Sequence, residues 1–589
     1  MKKFKKILAL ALSLAMVLGM SVTTFASSTT TDLFGDVPSS KDNGKITVTN
    51  LKAGDTVDIY KIVKANYTEN GFTGYESVHY TNADGVKTSM IADVNLPTAN
   101  EIAALLTHIE GTNHGDCDTS QVTKQGTVDA NKTEIEFSDL EVGTYLVKVT
   151  AGQGSTTVYN PMVASVYYVT EGTDDKIENG TVDADSKWDI QGDIVYAKSS
   201  DDNDITKTIV DSDRDENSEG YGKGDDVAAG TTVSFAIEGT IPSYDKEFYT
   251  SPVYKITDTL SDGLDFVTVE ADAEAGTSAK TAQEILQEKA DEIFGKNNSS
   301  IEVNGRMFTL TVDPAYLQTI AGYPENNEIP DDAATSDRTF KFVYSAVLNG
   351  SSYNFDPSTN TAKVTYSNKP ATDTDAGTTD GPDKKTYHYT FSIGARLTAN
   401  DQITTETTNI IQKIDSTTGK ILSTSETVVE GNTTLFDKVA SGAVFELTHK
   451  TTGKVYEETT DENGQLIFEG LDAGEYTLKE TKAPAGYSLS NITYPVVITP
   501  TYNEDGQLTN LEIKINNESV MNFSATYESG SIKKIVVAGD NNVTKIPNTK
   551  LSSLPSTGGI GTTIFTIGGC AIMILAAALY FASRRKTAK

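Results

Sequence analysis

Along most of the chain, apolar and polar residues alternate in short runs separated by Gly, Asn and Asp. Lys45-Ile46-Thr47-Val48-Thr49, Tyr145-Leu146-Val147-Lys148-Val149, Thr232-Val233-Ser234-Phe235-Ala236-Ile237 and Lys363-Val364-Thr365-Tyr366 are examples. Period-two patterns rich in Val, Ile, Thr and Tyr predict half-buried strands of antiparallel sandwiches. Two segments change to a helical period. Thr98-Ala99-Asn100-Glu101 has the form of a capping box and leads into Ile102, Leu105, Leu106 and Ile109. Ala282, Ile285, Leu286, Ala290, Ile293 and Phe294 form a second stripe. Both are expected to be packing faces on a β framework. Two further runs are mostly apolar, Ile7 to Met20 and Ile560 to Ala582.

The 589 residues favour three or four domains over one. An apolar fraction of 37% is enough to build cores, so wholesale disorder is excluded. With 48 basic and 82 acidic residues the net charge is 48 − 82 = −34, which argues against nucleic acid and anionic membrane surfaces as partners. Five His and two Cys leave little material for metal or thiol chemistry. Neither Asp211, Asp213 and Asp215 nor the group His108, His114, Asp116 and Cys117 completes a metal-ligand pattern, so no metal and no cofactor is expected. Stretches dense in Asp, Ser, Thr and Gly, 199–226 and 371–385, read as linkers. They set expected domains at 27–198, 199–385 and 386–553. An internal repeat relates the first to the third. Phe137, Leu140, Gly143 and Tyr145 recur in register as Phe468, Leu471, Gly474 and Tyr476, which predicts the same two strands around the same turn.

The ends give the destination. Lys2, Lys3, Lys5 and Lys6, the short apolar run and Thr24-Phe25-Ala26 form a secretory signal, residues 1–26, with cleavage expected after Ala26. Leu554-Pro555-Ser556-Thr557-Gly558 precedes the second apolar run and then Arg584, Arg585 and Lys586. Physically, 559–589 is a stop-transfer span with a basic tail. The arrangement resembles the LPxTG sorting signal of Gram-positive wall proteins. That resemblance implies cleavage between Thr557 and Gly558 by a sortase, transfer of the Thr557 carbonyl to an amine, and anchorage to peptidoglycan. The span would hold the chain in the membrane only before cleavage.

In the third domain, Tyr476-Thr477-Leu478-Lys479-Glu480-Thr481-Lys482-Ala483-Pro484-Ala485-Gly486-Tyr487 puts Glu480 on the same strand face as Tyr476 and Leu478. A carboxylate on an inward face has to be paired, protonated or functional. The stretch resembles the E-box, YxLxETxAPxGY, of the collagen-binding-protein B-type domains of Gram-positive pilins and adhesins. The resemblance implies that Glu480 promotes an amide bond between a lysine and an asparagine. Burial favours the neutral amine and the neutral acid, which polarises the carboxamide while the amine attacks. By resemblance the lysine is Lys413 and the asparagine Asn548, with Asn516 and Asn517 as alternatives. Val149 stands where the first domain would need the acid, so no equivalent bond is expected there.

Strands near Asp258 and Lys363 resemble those of the second domain of backbone pilins, which implies a set Lys207, Asp258 and Asn368. Trp188 followed by Ile194-Val195-Tyr196-Ala197-Lys198 resembles the pilin motif WxxxVxVYPK, with Ala197 in place of Pro and one residue more between Trp and Lys. It implies Lys198 as the amine that receives Thr557 of the next subunit. The expected protein is all-β: three serial immunoglobulin-like sandwiches with small helical insertions, exported and wall-anchored. It reads as a non-enzymatic backbone pilin with its own copies, a sortase, peptidoglycan and accessory or tip pilins as partners. The alternative is a monomeric wall-anchored adhesin.

Overall fold

The computed structural model describes residues 37–551 and 560–586, except for internal stretches of which the longest are 111–121, 211–221 and 321–337. Ala26, the pentapeptide 554–558, the acidic run from Asp211 to Glu216, and His114, Asp116 and Cys117 lie outside the described residues. The chain divides into two compact units, Met1–Tyr389 with Tyr502–Gln507, and Thr390–Thr501 with Leu508–Lys589.

The first unit contains two sandwiches. In the N-terminal one, Asn43–Thr49 lies between Ile194–Tyr196, which it pairs in parallel, and Glu134–Glu141. The opposing sheet runs Trp188–Gly192, Met162–Thr170, Gly143–Thr150, Thr56–Thr68 and Gly71–Ser77, with Lys124–Thr127 added on Thr56–Thr68. Ile46, Val48, Val57, Ile59, Tyr145, Val147 and Val166 fill the space between, the inward half of each alternating pattern. The helix Ala99–Glu110 buries Ile102, Leu105, Leu106 and Ile109 as its stripe predicts. Its start is the expected box: the Glu101 amide donates to Thr98 Oγ1 (3.3 Å) and the Thr98 amide to Glu101 Oε2 (2.7 Å).

The middle sandwich faces a four-stranded sheet, Ile205–Ile209, Thr232–Thr240, Thr339–Leu348 and Leu264–Phe266, against a seven-stranded one. The latter runs Gly224–Asp226, Lys384–Tyr389, Ser358–Ser367, Tyr254–Leu260, Met307–Val312 and Ser299–Asn304, with Thr378–Asp380 beside Ser358–Ser367. The helix Ala282–Phe294 buries Leu286, Ala290 and Phe294, and Thr281 and Glu284 cap each other. Two linker expectations change here. Ile205–Ile209 and Gly224–Asp226 are strands inside 199–226, because Ile205, Lys207 and Ile209 alternate inward whatever their acidic surroundings. Lys384–Tyr389 carries the middle sheet past 385.

The second unit places Phe436–Lys438, Ile421–Ser423, Ile411–Asp415 and Gln465–Leu466 in one sheet, with Thr544–Asn548 parallel to Ile411–Asp415. The other sheet runs Val455–Thr459, Val444–His449, Gly474–Lys482, Thr493–Tyr502, Leu508–Ile515, Glu518–Glu528 and Ser531–Val537. The helix Ile560–Lys586 follows, and Ile564–Arg584 is long and apolar enough to cross a membrane.

The internal repeat is a repeat of structure. Tyr145 donates its hydroxyl proton to the Glu141 carbonyl (2.7 Å), and Tyr476 does the same to the Asp472 carbonyl (2.8 Å). The turn between the strands is a corner, not a hairpin: Glu134–Glu141 and Gly143–Thr150 enter different sheets, as do Phe468–Leu471 and Gly474–Lys482. Gly474 makes that corner at φ +124°, where a Cβ would meet His449 Nε2 at 2.8 Å.

Candidate functional site

In the third domain, alternation along Gly474–Lys482 turns Tyr476, Leu478 and Glu480 inward, and Glu480 is 1% exposed. The opposing sheet supplies the other two groups from its adjacent parallel strands, Lys413 from the first and Asn548 from the last, with Asp415 opposite Asn548 in register. Lys413 Nζ lies 2.9 Å from Glu480 Oε1 and donates to Asn548 Oδ1. Asn548 Nδ2 donates to Glu480 Oε1 (2.9 Å) and Oε2 (3.0 Å), and the Ser490 amide donates to Oε2 (2.8 Å). The Phe445 ring covers the amine, its centroid 5.3 Å from Nζ. Burial pushes the Lys413 amine below the usual lysine range, with Glu480 pulling the other way. The structure brings together all three groups named from the sequence. Asn516 and Asn517, the alternatives, are exposed residues of a turn with φ +55° and +65°. At Val149, the first domain's counterpart of Glu480, a buried apolar side chain fills the face.

The middle domain holds a second buried cluster, drawn from both sheets. Lys207 reaches in from Ile205–Ile209 and donates from Nζ to Asp258 Oδ2 of Tyr254–Leu260, both side chains 0% exposed. Burial lowers the Lys207 amine and raises the Asp258 carboxyl, which favours a neutral amine beside a neutral acid. Phe235 and Tyr344 cover Nζ, at 5.0 and 5.2 Å from their ring centroids. The asparagine here is Asn360, not Asn368. Asn360 is fully buried and donates from Nδ2 to Tyr344 Oη (2.7 Å), which also accepts from Lys207 Nζ (2.7 Å). Asp258 faces Ala362 across the ladder. Asn368 is six residues further along the chain from Ala362, about 20 Å at the rise of a strand, beyond the end of Ser358–Ser367. The alternation sets Ser358, Asn360, Ala362, Val364 and Tyr366 on one face, and the pairing of Asp258 with Ala362 puts Asn360 beside the acid. Tyr344 and His388, which carried no sequence signal of their own, also line the cluster. The His388 ring packs edge-on to Phe235 with neither nitrogen hydrogen-bonded, and burial, then Lys207, pushes its pKa down to about 3.

Lys198 does not sit at a free rim. It lies between Ile194–Tyr196 and a short strand Ser199–Ser200 that pairs with Val158–Tyr159. Its carbonyl accepts from the Asn160 amide (3.0 Å), and its side chain is half-buried near Asp245. Burial lowers its pKa against the pull of Asp245. Ala197, which replaces the motif's Pro, is buried, and Trp188 is packed in the core.

Comparison with known proteins bears on the domains that hold these residues. Residues 41–199 match the T6 antigen Ig-like domain, 407–518 the prealbumin-like fold domain, and 546–589 the LPXTG cell wall anchor motif. The chain is 26% identical to the trypsin-resistant surface T6 protein of Streptococcus pyogenes serotype M6, over 93% of this chain and 96% of that protein. The solved T6 backbone pilin of serotype M6 Streptococcus pyogenes, described as a modular three-domain structure, matches with a TM-score of 0.53 at 21% identity. That match covers 87% of this chain and all of the other. The full-length major pilin SpaD of Corynebacterium diphtheriae matches over 87% of this chain and 99% of its own, with a TM-score of 0.43 and 14% identity. The chain is a cell-wall-anchored surface protein similar over nearly its whole length to the T6 surface protein of Streptococcus pyogenes.

Proposed function

We propose that the chain is the shaft subunit of a sortase-assembled fimbria, in which Thr557 of one copy is joined to Lys198 of the next. Each copy is closed internally by amide bonds, Lys413–Asn548 and Lys207–Asn360. The observation that carries this reading is the buried meeting of Lys413 and Asn548, from the adjacent strands Ile411–Asp415 and Thr544–Asn548, with Glu480 of the opposing sheet.

The chemistry follows from that contact. A neutral Lys413 amine attacks Asn548 Cγ; Glu480, within 3.0 Å of both nitrogens, takes the lysine proton and gives one to Nδ2, which leaves as ammonia. Fixed geometry in a buried site supplies the proximity that a bimolecular amide synthesis lacks. The reaction occurs once per chain, on the chain itself, so the role is structural and involves no turnover. A bond between adjacent first and last strands passes tension across the domain without loading its core.

The test is a detergent-boiled wall extract blotted for this protein. Wild type gives a high-mass ladder, and Lys198→Ala gives wall-anchored monomer with both internal bonds intact. A ladder that survives the substitution refutes Lys198. A single wild-type band refutes the polymer and leaves the wall-anchored adhesin.

A further inference from the structure

The two clusters solve one chemical problem with different parts. In the third domain Glu480 alone reaches both reacting nitrogens. The acid of the middle domain, Asp258, is one methylene shorter. It holds Lys207, but its Oδ1 has no hydrogen-bond partner, and Asn360 makes its side-chain hydrogen bond to Tyr344 instead. Tyr344 Oη therefore stands between the two reacting nitrogens, 2.7 Å from each. A phenol hydroxyl accepts twice and donates once. Lys207 and Asn360 occupy both accepting positions, and the Asp258 carboxyl interacts with the same hydroxyl, so the acid, the phenol and both nitrogens form one connected chain.

We propose that Tyr344 is a catalytic residue of the middle-domain cross-link, aligning the Lys207 amine with the Asn360 carboxamide and relaying the proton that releases ammonia. This rests on the reading that Lys207 and Asn360 are joined. The amine lone pair forms the new bond to Asn360 Cγ. The amine's proton passes to the Asp258 carboxyl, whose own proton passes to Tyr344 as the Tyr344 hydroxyl proton moves to Nδ2. The Cγ–Nδ2 bond then breaks. One amine and one carboxamide become one secondary amide and one ammonia, and Asp258 and Tyr344 end as they began. The longer glutamate makes such a relay unnecessary in the third domain.

The experiment follows both cross-links in the full mature chain, by peptide mapping and intact mass at successive times after synthesis, one ammonia lost per bond. Wild type, Tyr344→Phe, and Tyr344→Phe combined with Asp258→Glu are compared, and the Lys413–Asn548 bond serves as the internal control for folding. Tyr344→Phe is expected to slow the Lys207–Asn360 bond by at least about a hundredfold, the lower end of what a positioned proton donor supplies, while the control bond forms as in wild type. Asp258→Glu, restoring the reach that Glu480 has, is expected to recover most of the loss; a purely packing role for the hydroxyl would not be rescued that way. Equal rates in wild type and Tyr344→Phe overturn the proposal, as does a folded double variant that stays slow. A wild type without the Lys207–Asn360 bond overturns the reading beneath it, a result read separately from either comparison.

Discussion

Glu480→Gln separates the acid from its shape. Glutamine keeps the volume and can still hydrogen-bond Asn548, so the buried face of Gly474–Lys482 stays packed, but it cannot take the proton from Lys413. The bond should therefore not form, and the variant retains one ammonia that wild type loses. The cost in stability can be worked from the topology. Lys413 and Asn548 are 135 residues apart. In the chain-entropy treatment of cross-links, a closed loop of that size restricts the unfolded chain by about 5 kcal/mol at 25 °C. For a domain in this size range each kcal/mol moves the midpoint by roughly 2–4 °C, so the third-domain transition should fall by roughly 10–20 °C. The assay is calorimetry of the full mature chain, with intact mass on the same sample. The middle-domain transition serves as the internal reference, because its bond is untouched. Loss of the same ammonia in Glu480→Gln as in wild type would falsify the assignment of the acid. A variant that lacks the bond but melts within a few degrees of wild type would refute the tether as a source of stability.

Two further outcomes test the scaffold around the sites. His388 is buried with its pKa pushed down to about 3, so the unfolded chain takes up a proton that the native one refuses. Stability from this group is complete above about pH 6.5 and is lost as pH falls toward the folded value, about 2–3 kcal/mol by pH 4.5. In denaturant titrations of the middle domain, His388→Gln should lie nearer flat than wild type between those two pH values, and parallel curves would reject the account. Gly474→Ala forces a Cβ against His449 at a corner with φ +124°, so the third domain should lose about 1–3 kcal/mol; a change below about 0.5 kcal/mol, within the usual range of surface substitutions, would mean that the corner yields.

How much of this was legible depended on whether a property is local. Alternation with period two fixed the strands, the inward face of Glu480 and the capped helices, because each is set by neighbours a few residues apart. The repeat identified two equivalent corners because the Gly and the Tyr that make them lie within three positions of each other. The E-box drew attention to Glu480, and the resemblance it carries named Lys413 and Asn548, whose strands lie side by side. Composition misjudged 199–226, where the inward alternation of Ile205, Lys207 and Ile209 outweighs the acidic residues around it.

What the chain alone left undecided was register across space. Asn360 and Asn368 share one parity in the sequence, and only the pairing of Asp258 with Ala362 shows which of them lies over the acid. Tyr344 and His388 come from strands of opposite sheets, and no spacing in the sequence brings a tyrosine hydroxyl to Lys207 and Asn360 at once. Val195 and Tyr196 read as the end of the first domain's last strand, which by itself leaves Lys198 at a rim. The pairing of Ser199–Ser200 with Val158–Tyr159 half-buries it, through a contact some forty positions away in the chain. Faces are determined by the backbone's own period; partners are determined by which faces the sheets bring together.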